Sequence, residues 1–207
     1  MKIIDPASWN RREIYALFSA CDHPFYSVTF ELDVTNLRRY THENGLSFYY
    51  SLAYLITEAM ESVEALCIRI REGQLVVLDT LIPSCTDILP GSDCFIIVTL
   101  PRGTDMAVFC RNAKAQALSQ QTLFDPAMEV RDDLIYFSCL PWFPITGFVT
   151  ERNLDVNDCI PRVTWGKYQN RGERFVLNVT VEVNHRTVDG VHLGTFYEAL
   201  QAGIERL

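Results

Sequence analysis

A histidine between an apolar-alternating run and a helical run, His185, is the residue whose type and setting most directly suggest chemistry in this chain. It stands in Asn184-His185-Arg186-Thr187-Val188-Asp189-Gly190. Histidine titrates near neutrality, so it can take a proton from a weak acid and hand it back. Two readings of the spacing are open. In one, His185 is a turn residue bonded to a nearby carbonyl, with Asp189 capping the next helix. In the other, it is a general base, Asp189 is structural and holds the turn, and Gly190 supplies a tight backbone. Spacing alone favours the first.

The elements that must position this turn can be read from periodicity. Before it, Phe175, Leu177, Val179, Val181 and Val183 fall on one face of a strand, with Asn178, Thr180, Glu182 and Asn184 on the other. After it, Leu193, Phe196, Tyr197, Leu200 and Ile204 recur at helical spacing. Upstream, a short helix runs from about Trp9 to Phe18 with Ser8 as its cap, and residues 26–34 alternate as a strand. Helices are expected over 36–42, ended by Asn44-Gly45, and from Phe48 through Met60, where a stripe of apolar residues marks a buried face. Residues 68–71 and 75–78 flank Glu72-Gly73 as a hairpin. Strands follow at 94–100, 134–140 and 163–168, with a helix from Asp105 to about Gln120. Strands and helices mix without regular βαβ alternation, which predicts an α+β fold, a mixed-sheet two-layer sandwich, with residues 1–207 forming one domain.

Composition narrows the function. The chain has 207 residues, 48% hydrophobic, and a formal charge of −8; it has the content of a packed domain and lacks the basic footprint of a nucleic-acid binder. No apolar run approaches the roughly 18 residues of a membrane span, and the first residues lack the apolar core of a signal peptide. A cytoplasmic location is expected. The seven cysteines form no Cys-x-x-Cys pair and no metal-ligand spacing with histidine, so they read as small buried hydrophobes in a reducing compartment and no metal is expected. No glycine-rich phosphate loop and no Gly-x-Ser-x-Gly elbow is present, which argues against Rossmann, P-loop and α/β-hydrolase chemistry.

Several segments are familiar in their order and spacing: Trp9-Asn10-Arg11-Arg12-Glu13, Leu32-Asp33-Val34-Thr35, Phe48-Tyr49, Gly73-Gln74-Leu75-Val76-Val77-Leu78-Asp79, Ser138-Cys139-Leu140-Pro141-Trp142, Thr164-Trp165-Gly166-Lys167-Tyr168, and the run from Asn184 to Gly194. Over nearly its whole length the chain thereby resembles the chloramphenicol O-acetyltransferases, trimeric CoA-dependent enzymes related to the catalytic domains of dihydrolipoamide acyltransferases. The resemblance shifts His185 to the second reading. It matches the catalytic histidine of the family's His-His-x-x-x-Asp-Gly signature, Asp189 the structural aspartate, and Asn184 replaces the first histidine.

The resemblance further implies that Ser138 steadies the tetrahedral oxyanion and that Thr164 assists through a water; read alone, Ser138 is a strand-end serine. Lys167 and Tyr168 match a pair at the nucleotide of acetyl-CoA, the implied cosubstrate. Tyr26, Phe95 and Phe148 match walls of the acceptor pocket, although aromatics on strands are equally core. Ser47 stands where the family has a basic residue, Cys67 where it has arginine, and residues 85–93 differ from the family's segment. The implied activity is acetyl transfer from acetyl-CoA to a hydroxyl of chloramphenicol by a homotrimer. The competing readings are an acyltransferase of the same mechanism acting on another small alcohol or a thiol, and a non-catalytic oligomeric binding protein that keeps the fold.

Overall fold

The computed structural model describes residues 2–89 and 91–207. In chain order its strands are β1 (Lys2–Ile4), β2 (Phe25–Asp33), β3 (Ile68–Arg71), β4 (Gln74–Val77), β5 (Ile82–Ile88), β6 (Phe95–Thr99), β7 (Leu134–Leu140), β8 (Arg162–Gly166), β9 (Gln169–Arg171) and β10 (Arg174–Asn184). The helices are α1 (Arg12–Ser19), α2 (Thr35–Glu43), α3 (Phe48–Glu61), α4 (Met106–Ser119), α5 (Pro126–Glu129) and α6 (Gly190–Glu205), with a 3-10 turn over Glu64–Cys67.

The alternating run before His185 becomes the 11-residue β10. It pairs antiparallel with both β2 and β8, within a sheet of order β2-β10-β8-β7-β5-β6. β7 pairs parallel with β8 and with β5, so the sheet is mixed. A smaller antiparallel sheet, β1-β4-β3, contains the expected hairpin. Its two central residues, Glu72 and Gly73, have φ of 50° and 79°, the left-handed pair that a tight hairpin turn requires.

Helices cover one face of the main sheet. Val179, Val181 and Val183 of β10, Val163 and Trp165 of β8 and Phe137 of β7 are buried there with Leu52, Ile56 and Met60 of α3 and Phe196 and Leu200 of α6. The fold is the expected two-layer α+β arrangement. The opposite face carries the other residue of each strand pair, since successive side chains alternate. It is crossed only in part, by the connection 141–161. Asn178 Nδ2 donates to the Ile145 carbonyl at 2.7 Å, and Glu182 accepts from Thr150 Oγ1 at 3.1 Å and pairs with Arg152 at 2.9 Å. At Gly166 this connection comes close to the sheet. A Cβ there would stand 2.7 Å from Ile145 N and 2.8 Å from Phe143 O, both backbone atoms.

Several expectations need correction, among them the strand over 163–168, which ends at Gly166. β5 was not foreseen: Pro83, Ser84 and Asp87 break the β-forming pattern, yet its neighbours β6 and β7 enclose it. Ser8 does not cap α1, because its hydroxyl bonds Asp5 and the N-cap position is Arg11. The cysteines are not uniformly buried. Cys67, Cys85, Cys110 and Cys159 are, but Cys139 is half-buried and Cys21 and Cys94 are exposed, lying in irregular segments at element ends.

Candidate active site

His185 follows directly on β10, and its backbone N–H donates to the Pro24 carbonyl at 2.7 Å, which fixes the turn against the start of β2. Its ring lies between two others. Phe18 of α1 stacks on it at 3.8 Å between centroids, 20° from parallel, and Tyr26 of β2 lies 4.3 Å away. The Tyr26 hydroxyl donates to the Val188 carbonyl at 3.3 Å. Burial first, and the Asp189 carboxylate second, push this phenol up to about 12, so it stays protonated at neutral pH.

Asp189 ties the site together. Its Oδ1 lies 3.1 Å from His185 Nε2, and its Oδ2 accepts a bond from Arg11, just ahead of α1. That guanidinium holds the Asp189 carboxyl below its ordinary 3.8, against an opposing burial effect. The carboxylate is therefore fully charged at neutral pH, and it faces the ring that would become cationic on taking a proton. The expected tight backbone at Gly190 is not found: its φ is not positive, and a Cβ there would meet open space.

Sequence reasoning missed Arg11 and Phe18. A signal existed, since Arg11, at the N-cap of α1, stands at i with Tyr15 and Phe18 of the helix at i+4 and i+7, on one side. All three are half-buried, and the rest of the helix is exposed. Arg186, also missed, fastens that helix to the turn. Its Nη2 donates to Tyr15 Oη at 2.7 Å, its Nε to Ser19 Oγ at 2.9 Å, and its Nη1 to the Val156 carbonyl and Asn157. Asn184 acts as a clamp: Nδ2 donates to the Val156 and Asp158 carbonyls at 2.9 and 3.1 Å, while Oδ1 accepts from Arg186 N at 3.0 Å.

Ser138 and Thr164 lie elsewhere. They are register partners on β7 and β8, Thr164 pairs with Thr180 of β10, and Thr180 with Thr29 of β2. Direct partners share a face, so four hydroxyls form a row across the polar side of the sheet, with Thr29 and Thr180 bonded at 2.8 Å. Thr164 is buried and Ser138 half-buried. Among the described residues no hydrogen bond engages the Ser138 hydroxyl. His185, packed on Tyr26, is on the helix side instead. Two strand spacings sideways and five residues of rise from Thr180 put Ser138 roughly 20 Å from His185 within one chain.

The remaining residues are also spread out. Phe95 opens the edge strand β6 beside Ile88 and is 49% exposed. Phe148 is half-buried in the connection that crosses the polar face. Tyr26 is with His185, so one chain does not bring these three rings together. Lys167 is exposed just after β8, its N–H bonded to the Phe143 carbonyl at 2.8 Å. Tyr168 packs on Phe48 and Phe175, with the Arg38 guanidinium 5.6 Å from its ring. Among the described residues no three His, Cys, Asp or Glu side chains are placed to hold a metal ion, and no helix is long and apolar enough to cross a membrane.

Comparison with known proteins gives a consistent picture. The family model described as chloramphenicol acetyltransferase matches residues 1–201. Chloramphenicol acetyltransferase 2 of Escherichia coli is 30% identical over 202 residues, covering 96% of this chain and 94% of its own. A solved chloramphenicol acetyltransferase superposes with a TM-score of 0.89 at 23% identity, over 98% of this chain and 99% of its own. A probable dihydrolipoamide acetyltransferase from Listeria monocytogenes shares the fold at TM-score 0.69 and 15% identity, over 100% and 95% of the two chains.

Proposed function

The chain belongs to the chloramphenicol acetyltransferase family, and on that premise we propose that it transfers the acetyl group of acetyl-CoA to a hydroxyl of chloramphenicol, inactivating the antibiotic. The observation that carries this reading is the fixed imidazole of His185, held between Phe18 and Tyr26 with Asp189 at 3.1 Å.

An alcohol is too weak an acid to lose its proton unaided at neutral pH. His185 takes that proton as the acceptor oxygen attacks the thioester carbonyl carbon. The carbonyl electron pair moves onto oxygen, and the Ser138 hydroxyl donates to the oxyanion so formed, with Thr164 assisting through a water. Collapse breaks the carbon–sulfur bond, and the departing thiolate takes the proton back from His185. The proton has passed from acceptor to sulfur and the ring is neutral again. Asp189 faces the charge held in between, and Arg11 keeps Asp189 in place. General-base help is worth roughly 10²–10⁴ in rate and one oxyanion donor roughly 10²–10³. Lys167 and Tyr168 receive the nucleotide of CoA, where a cation suits phosphate and a ring can stack on a base. Tyr26, Phe95 and Phe148 wall the acceptor pocket.

This mechanism needs two chains for each site, because His185 and Ser138 of one chain are far apart and on opposite faces. A homotrimer, with one chain's His185 meeting the open polar face of the next, meets that need three times. Each chain is one catalytic domain. The free state of all seven cysteines among the described residues supports a cytoplasmic home, and the reaction as written uses no metal.

Release of CoA thiol at saturating acetyl-CoA is the test. Chloramphenicol and analogues that keep its primary hydroxyl release thiol; an analogue with fluorine in that position does not. Enzyme that binds CoA yet releases none with any of these compounds would point to another alcohol or a thiol as the acceptor.

A further inference from the structure

Behind the catalytic turn lies a second histidine that the mechanism above leaves unused. His192 is the third residue of α6, and its Nδ1 accepts the backbone N–H of Asp189 at 2.9 Å. In return, the backbone N–H of His192 donates to the Asp189 carbonyl at 3.0 Å. A side chain three residues into a helix that reaches back to the N-cap N–H is half of a capping box, a place filled by Glu or Gln in most helices that have one. Histidine can fill it only while Nδ1 keeps its lone pair.

Resting on the reading of His185 as the base, we propose that His192 is a positioning residue: its unprotonated ring sets the backbone of Asp189, and through that carboxylate the ring of His185, so that a second proton shuts down transfer in acid. The groups around it make this a sensitive point. Asp189 belongs to the same turn, Arg11 reaches in from the start of α1, His185 ends β10 and Tyr26 faces Asp189 from β2. A proton on Nδ1 would turn an acceptor into a donor aimed at another N–H, and would add a cation beside Arg11. Burial and Arg11 both hold the His192 ring below the ordinary 6.5, with Asp189 opposing them. The ring is therefore neutral at pH 7.5 and above, and the bond is intact there.

Asp189 is touched by both Arg11 and His185. A small rotation of its backbone moves its carboxylate relative to both. The consequence is a change in kcat with little change in the binding of either substrate, since His192 itself touches neither in the reading above.

The test is kcat against pH, at saturating acetyl-CoA and acceptor, for the parent, His192→Gln and His192→Phe. Gln keeps an acceptor that does not titrate. In the parent the acid limb steepens from one proton to two at a pH below histidine's ordinary 6.5, because the folded turn holds the His192 ring neutral. In His192→Gln the limb stays at one proton and kcat at pH 8 is within about twofold of the parent. In His192→Phe kcat falls about tenfold across the range, as expected for loss of one half-buried acceptor, with both KM values near parental. A two-proton limb in His192→Gln, or a one-proton limb in the parent, would overturn the proposal; the Gln variant decides even where the Phe variant does not fold. A parent that transfers no acetyl group to any acceptor would instead overturn the functional reading itself.

Discussion

Replacing Arg11 by methionine removes the guanidinium that bonds Asp189 and keeps the aliphatic packing. The Arg11 side chain is 11% exposed and that of Asp189 23%. Stranding a fully buried charge costs about 3–5 kcal/mol, and a charge-assisted bond contributes about 1.5–3 kcal/mol. Water still reaches one side of Asp189, so the cost falls near the lower end, about 2 kcal/mol, or about 30-fold in the folded-to-unfolded ratio. Urea unfolding at pH 7.5 measures this as a lower midpoint at unchanged slope. The pH dependence has a definite sign. Arg11 lowers the folded pKa of Asp189 below 3.8, so the stabilisation is whole above that value and is lost as pH falls through the folded one. The gap between parent and variant is therefore widest near neutrality and closes in acid. Turnover falls as well, by about tenfold, because Asp189 no longer holds His185 in register. Arg11→Lys recovers part of the stability, lacking the planar fork. Parental midpoint and parental kcat together, or a gap that widens in acid, would refute the role given to Arg11.

His185→Ala abolishes thiol release while circular dichroism stays native, since no other group takes the acceptor's proton; turnover at the parental rate would contradict the mechanism. Ser138→Ala lowers kcat by about 10²–10³ but leaves measurable turnover, because it deletes one donor among several contributions. Gly166→Ala lowers stability by about 1–3 kcal/mol in urea unfolding, since its new methyl group meets backbone atoms of residues 143 and 145 that cannot rotate away. A chelator leaves the rate unchanged, as the proton is carried by an imidazole; inhibition by chelation would require a different chemistry.

Much of the fold was written in local periodicity. β10 was legible because five apolar residues alternate, and α3 because its apolar stripe is long. β5 was not, since its strand state comes from neighbours on both sides, which override Pro83 and Asp87. The turn bearing His185 and Asp189 could be found, but its partners could not. Arg11 and Phe18 sit more than 160 residues earlier, and nothing local says that their helix face meets this turn. Asn184 could be read only as a missing histidine; its buried amide in fact pins the connection at Val156 and Asp158. The separation of Ser138 from His185 depends on the register of β7, β8 and β10, a non-local quantity that spacing along the chain does not contain.

The central claim is that the site is built from two chains, and complementation tests it most directly. His185→Ala chains lack the base and Ser138→Ala chains lack the oxyanion donor, so each preparation alone is inactive or nearly so. Unfolded together in equal amounts and refolded, they form mixed trimers in which some interfaces pair the intact His185 of one chain with the intact Ser138 of another. For random mixing around a heterologous ring that is about a quarter of the sites, and the account predicts about a quarter of parental thiol release. Activity no higher than the mean of the two separate variants would mean that each chain carries its own complete site, and would contradict it.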